Sequence, residues 1–159
     1  MRAVRLATAL SPRRIRATLI AGVVVTADQV TKVWARTTLA DHDVDLINGF
    51  LRLHLAENPG SAFSLFQSLG SWLGVAAILA SGLIVVLVER TASRAELAGF
   101  SLILGGAVGN LVDRVVKGPW LTGSVTDFVD FSFWPNFNVA DSAITIGVVV
   151  LLWAANRSR

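Results

Sequence analysis

The sequence predicts an all-α integral membrane fold: four transmembrane helices in one domain (residues 1–159). Three observations predict it. Hydrophobic residues fill 53% of the 159 positions and charged residues only 16%, giving a mean hydropathy of +0.62. Four apolar runs approach spanning length, at residues 17–35, 72–88, 97–112 and 139–155. The basic residues alternate between loops as a topology signal does.

That alternation explains the pI near 10.6 without nucleic acid. Arg2, Arg5, Arg13, Arg14 and Arg16 precede the first run, Arg90 and Arg94 separate the second from the third, and Arg157 and Arg159 follow the fourth. Loops 37–71 and 114–138 hold the acids Asp41, Asp43, Asp45, Glu57, Asp127 and Asp130 beside few cations. Both termini are therefore expected in the cytoplasm, with these two loops outside. With no cysteine, disulfide, thiolate and zinc–thiolate chemistry are excluded. His42 and His54 are the only histidines and form no HExxH, so no metal site is expected. A cleavable signal peptide ending at "VTA" before Asp28 is disfavoured, because apolar character resumes at Val33–Trp34–Ala35.

Within the first run, "TADQVTKVW" places Asp28 and Lys32 four apart, on one helix face and able to pair. A pair that fixes helix packing and a pair that serves a site fit this equally; ionisable groups in a span point to function. In the first loop, Phe50, Arg52 and His54 alternate with Leu51, Leu53 and Leu55, the pattern of a short strand or hairpin on the membrane surface. His54 reads as an interfacial polar residue, "ENPGSAF" as a turn, and "SAFSLFQSL" as a return of apolar residues to the membrane. The second run carries no charge. The third has Gly105 and Gly109 for close helix approach and ends in Asn110, Asp113 and Arg114. Trp120 and Trp134 in the second loop read as interface anchors.

Antiparallel threading brings Asp28, Asp113, Asp127 and Asp141 to a similar depth near the outer boundary. "GNLVD" and "FNVAD" each put Asn three residues before Asp, so each amide is expected to orient its own carboxylate from the same helix face. Two close carboxylates can share one proton: the ionised member takes a proton from water and the protonated member donates to a carbonyl. That hydrolyses a peptide without serine, cysteine or metal. Asp141 belongs to the pair on any reading. Its partner is open between Asp113, which Arg114 could hold ionised, and Asp127, in a segment able to move over a substrate; spacing favours Asp127 slightly. Asp130 reads as solvated surface. A cation carrier would need ionisable groups continuing to the inner side, which runs two to four lack; a packing scaffold built on Gly105 and Gly109 leaves the matched acids unexplained.

"DQVTK", "NPGSAF", "GGAVGNLVDR", "VTDF" and "FNVADSAITIG" occur in that order from Asp28 to Gly147, and together they resemble the bacterial lipoprotein signal peptidases (signal peptidase II). The resemblance implies a four-helix aspartyl endopeptidase of the bacterial inner membrane, with a small β-like cradle and a half-helix in the first outer loop. It would cut prolipoprotein signal peptides just before the diacylglyceryl-modified cysteine, near the outer leaflet. It implies Asp127 and Asp141 as the catalytic pair, with Asp28, Lys32, Asn58, Gly60, Asn110, Asp113, Arg114 and Asn138 shaping and binding. No cofactor is expected. The partners are the diacylglyceryl prolipoprotein and membrane lipid, and the protein is expected to be a monomer. Two departures concern loop geometry: extra residues around "GPWLTGS", and a compact stretch from Asp127 to Asp141.

Overall fold

A computed structural model describes residues 11–60 and 70–157. The half-helix expected after Gly60, and Arg2, Arg5 and Arg159 of the charge pattern, lie outside the described residues. The four apolar runs form the cores of four helices: α1 (Pro12–Thr38), α2 (Gly70–Arg90), α3 (Arg94–Lys117) and α4 (Val139–Arg157). Each outruns its apolar core because capping and charged residues extend it. The Ser11 hydroxyl accepts the Arg14 N–H at 3.2 Å ahead of Pro12, and the Ser93 hydroxyl accepts that of Glu96 at 3.1 Å.

Among the described residues, α2, α3 and α4 are long and apolar enough to cross a membrane. α1 falls short of that composition because Asp28, Gln29, Thr31 and Lys32 interrupt it. α3 is the central helix and packs against the other three. A Cβ at Gly105 would come within 2.7 Å of the Val24 side chain and 2.9 Å of the Ala21 carbonyl, so α1 crosses α3 where this glycine admits it.

The cradle is larger than expected. Strands β1 (Val44–Ile47) and β2 (Leu51–Asn58) form the anticipated hairpin, turning through Gly49 at φ +73°. The second loop adds β3 (Val125–Phe131), giving an antiparallel sheet in the order β1-β2-β3. Asp127 opposes Ala56, Thr126 opposes Glu57 and Val125 opposes Asn58. Asp127 thus lies on a paired strand, which corrects the mobile segment read from its flanking turns. Phe128 fixes the sheet to α1 by packing with Ala35 and Leu39 and meeting Trp34 edge-on at 6.3 Å.

The "GPWLTGS" insertion folds as a short 3-10 turn, Pro119–Leu121, in which Trp120 and Leu121 take positive φ. Trp120 is 90% exposed, and Trp134 is also exposed. The compact stretch after β3 is closed by Phe137, which bonds back to Val129 in both directions at 3.0 Å and stacks on Phe131. One surface reading changes: Asp130 pairs with Arg52 at 2.5 Å instead of standing free. His54 Nδ1 lies 2.7 Å from Asp43. That contact holds the exposed Asp43 carboxyl below its ordinary range.

Candidate active site

The acids brought together by the fold sit where α1, α3, α4 and β3 converge. Asp28 and Lys32 are both 0% exposed and pair at 2.9 Å, as their spacing predicts. Burying a charge is costly unless it is both paired and hydrogen-bonded, and here every contact is made. Lys32 Nζ also reaches Asp113 at 3.3 Å and the Asn110 side-chain oxygen, Oδ1, at 2.9 Å. Asp28 accepts the backbone N–H of Ala140 at 3.0 Å, satisfying one of the orphan donors in the first turn of α4. A Cβ at Gly109 would approach an Asp28 oxygen to 2.7 Å, so this glycine makes room for the carboxylate.

Asn138 stands at the N-terminus of α4. Its side-chain oxygen accepts the Asp141 N–H at 3.0 Å, and the Asp141 carboxylate accepts the Asn138 N–H at 3.2 Å, a reciprocal capping box. Its Nδ2 donates to Asp127 at 2.7 Å. One asparagine therefore contacts both acids. Asn110 donates to Asp141 at 2.8 Å from α3. The Asn-x-x-Asp repeat thus works differently from its spacing: only Asn138 serves its own aspartate, as a cap and not from a shared helix face. Asn110 serves the other copy's aspartate, and Asp113 instead accepts the Thr126 backbone N–H at 2.8 Å.

Asn58 closes the site from β2. The Gly60 N–H donates to its side-chain oxygen at 2.9 Å, which turns its Nδ2 toward Asp127 at 3.0 Å. Gly60 has φ +114°, where a side chain would be strained. Asp127 is 1% exposed, and burial pushes its carboxyl up to about 6; the Asn58 and Asn138 donors oppose this and nearby Asp141 adds to it. Arg114, also buried, donates to the Gly123 carbonyl at 3.3 Å and holds the second loop over the end of α3.

The expected residues Asp28, Lys32, Asn58, Gly60, Asn110, Asp113, Arg114, Asp127, Asn138 and Asp141 all fall in or beside this one cluster. Sequence reasoning missed four neighbours: Gln29, whose amide bridges Asp28 at 3.0 Å and the Gly109 carbonyl at 3.1 Å, Arg36 and Lys117, which both reach the Thr126 hydroxyl, and Glu57, bound by Lys117. Gln29 lay inside the quoted "DQVTK"; Arg36 and Glu57 are joined by chain-distant contacts, and Lys117 links distant Glu57 to Thr126 nine residues on. Asp141 also opens on a cavity of about 480 Å³ lined by Phe131, Phe133, Trp134, Phe137 and Ile146. Ser142 and Thr145 line it too, but their hydroxyls bond to the backbone oxygens of Asn138 and Asp141, leaving the walls apolar.

Helices of membrane-crossing character with two amide-held aspartates beside an apolar groove define a helical membrane protein equipped for acid–base chemistry. Residues 20–157 match the family model described as signal peptidase (SPase) II. The lipoprotein signal peptidase of Azoarcus sp. is 38% identical over 88% of this chain and 82% of its own, and that of Desulforapulum autotrophicum is 40% identical over 87% and 90%. A solved bacterial membrane enzyme superposes with a TM-score of 0.75 at 32% identity, covering 89% of this chain and 88% of that one. The chain belongs to the signal peptidase II family and is an aspartic peptidase.

Proposed function

We propose that Asp127 and Asp141 are the catalytic pair of this peptidase, and that it removes signal peptides from diacylglyceryl-modified prolipoproteins by cutting before the lipidated cysteine. The observation that carries the reading is Asn138, which donates to Asp127 at 2.7 Å while capping Asp141 in both directions. The pair is thereby held by one residue. Burial favours the proton on Asp127, and like-charge repulsion favours sharing a single proton over two ionised acids. In this reading Asp141, the member open to the groove, takes a proton from water. The resulting nucleophile adds to the scissile carbonyl carbon while Asp127 gives its proton to the carbonyl oxygen. Proton return to the leaving nitrogen breaks the C–N bond and yields a carboxylic acid and a free amine. Asp28, Lys32, Asn110, Asp113 and Asn138 hold this geometry, and Asn58, Gly60 and Arg114 shape the side facing the cradle.

We further read α1 as a fourth membrane helix. Its 27 residues extend about 40 Å, and Leu19, Val23, Val30 and Val33 are exposed along it. Both termini then lie in the bacterial cytoplasm, with the paired acids near the outer leaflet of the inner membrane and the enzyme acting as a monomer among lipids. The test is cleavage of a diacylglyceryl prolipoprotein by purified protein in nanodiscs, with Asp127→Asn, Asp141→Asn and Asp113→Asn alongside. Folded but silent variants at 127 and 141, each down by about 10³-fold or more, with residual activity at 113, are the expected result. Activity in Asp127→Asn with none in Asp113→Asn would move the pair to Asp113 and Asp141.

A further inference from the structure

Beside the paired acids lies a second charged cluster that the reaction as described does not use. Lys117, the last residue of α3, binds both oxygens of Glu57 at 2.9 and 2.8 Å and also contacts the Thr126 hydroxyl. Its ammonium is 3.7 Å from Asp113. Glu57 additionally accepts the Ser124 hydroxyl at 2.5 Å and that of Thr126 at 3.2 Å. Arg36 of α1 donates to the Thr126 hydroxyl at 2.9 Å. An isolated ion pair as open to water as this one adds little stability. This one, however, joins three elements at one point: the end of α3, the end of β2 and the start of β3.

What it fixes is Asn58. Asn58 is the last residue of β2, directly after Glu57, and past it the chain leaves the sheet through Pro59 and Gly60. The Gly60 turn sets which way the Asn58 amide faces, but it does not set how far the strand end stands from β3. That distance is held by the last ladder pairs, Glu57 opposite Thr126 and Asn58 opposite Val125, and the Glu57–Lys117 pair braces them from α3. We infer that Glu57 and Lys117 form a positioning clasp for the peptidase reaction, holding the end of β2 so that Asn58 keeps its hydrogen bond to Asp127. The inference rests on the reading of Asp127 as a catalytic carboxylate. Glu57 and Lys117 touch neither water nor substrate in it; they act through Asn58.

The clasp has a readout that a purely structural pair would not move. Asn58 donates to Asp127 and opposes the upward push of burial, so a slack Asn58 lets the Asp127 carboxyl rise further. The other charged groups facing Asp127 are Asp141 on α4, Lys32 on α1 and Arg114 on α3, and none is altered by the variants below. The experiment measures kcat and kcat/KM against pH on a diacylglyceryl prolipoprotein, using the full chain in nanodiscs. The variants are Lys117→Met, Lys117→Arg, Glu57→Gln, Asn58→Ala and Asn58→Ala combined with Lys117→Met.

Lys117→Met and Glu57→Gln should each lower kcat about tenfold with little change in KM, the mark of misplacement and not of lost binding. Each should also move the limb near pH 6 upward by roughly half a unit. Lys117→Arg, which keeps a fork for the carboxylate, should restore both. In the Asn58→Ala background, Lys117→Met should add nothing. If it adds its full shift there, the lysine acts through its own field and the clasp is overturned; unshifted profiles for Lys117→Met and Glu57→Gln overturn it as well. Glu57→Gln is isosteric and reports even if Lys117→Met folds poorly. Wild-type activity in Asp127→Asn would overturn the underlying reading, whereas a silent Asp127→Asn with unshifted clasp variants overturns the clasp alone.

Discussion

α1 and α3 run side by side through the molecule and meet in two different ways. Near one end Ala17 and Leu97 join Ile84 and Val88 of α2 in an apolar cluster, with Phe100, Ile103 and Leu104 around it. Further along, the same two helices meet through Asp28, Lys32, Gln29, Asn110 and Asp113, all bonded to one another or to their neighbours. Apolar contacts have no direction and tolerate small shifts. Charged hydrogen bonds in a buried setting hold one geometry or fail. The apolar end secures the helices to one another, and the polar end fixes where side chains sit to within a bond length. A peptidase needs the second kind of contact only where the chemistry is.

The largest expected break is Lys32→Met. It leaves the buried Asp28 and Asp113 without their shared cation and should cost about 3–5 kcal/mol, whereas Ile84→Val in the apolar cluster should cost about 0.5–1.5 kcal/mol. Equilibrium unfolding in a mild detergent compares them, and similar losses would erase the distinction between the ends.

Next comes Asp127→Asn, which should stabilise the protein at neutral pH. The folded pKa of about 6 lies above the ordinary aspartate value of 3.8, so the folded state binds this proton more tightly. That contribution is fully present below 3.8 and is lost as pH rises through 6. The variant should therefore be the more stable at pH 7.5, by up to about 3 kcal/mol, and the gap should close as pH falls toward 4. A gap that widens on acidification would refute the burial argument. In the same sense, kcat/KM of the wild type should decline as pH rises through about 6, where the proton is lost from Asp127.

Gly109→Ala is smaller. The new methyl meets Asp28 and should cost about 1–3 kcal/mol, while Gly22→Ala, with nothing within 4 Å, should gain about 0.5–1 kcal/mol from helix propensity. Thermal scans of the two variants should move in opposite directions. Least of all, Asp130→Asn breaks the pair with Arg52 on the far part of the sheet; it should cost under about 1 kcal/mol and leave cleavage unchanged.

The same contrast accounts for what could be read from the sequence. The helices show because apolar runs are local signals, and Asp28 with Lys32 shows because four residues on a helix is a fixed distance. The meeting of Asp127 and Asp141 was legible only with the order of several motifs in hand. β3 was not, since "VTDFVDF" sits among Gly-Pro and Thr-Gly turns and its partner strand lies some seventy residues earlier. For the same reason the contact of Asn110 with Asp141, and of Glu57 with Lys117, leaves no local trace. A three-residue interval suggested that Asn138 shares a helix face with Asp141, but Asn138 lies just outside the helix, where the interval makes a cap instead.

The buried Asp28–Lys32 pair also bears on the order in which the protein is made. α1 leaves the ribosome long before Asn110 and Asp113 exist to complete its bonds. Read as a membrane helix, α1 would enter lipid with only the Asp28–Lys32 pair formed, and an ionised residue at the centre of a bilayer disfavours insertion by about 2.5–3.5 kcal/mol. A nascent chain halted before α3 would thus carry a first helix that lipid receives poorly. Only when α3 and α4 arrive, with Gly109 admitting Asp28, Asn110 receiving Lys32 and the Ala140 N–H donating to Asp28, does α1 gain its full set of partners. On the reading of α1 as a membrane helix, assembly of the site and secure insertion of the first helix become one late event, and a truncated product would leave the Asp28–Lys32 pair without its partners on α3 and α4.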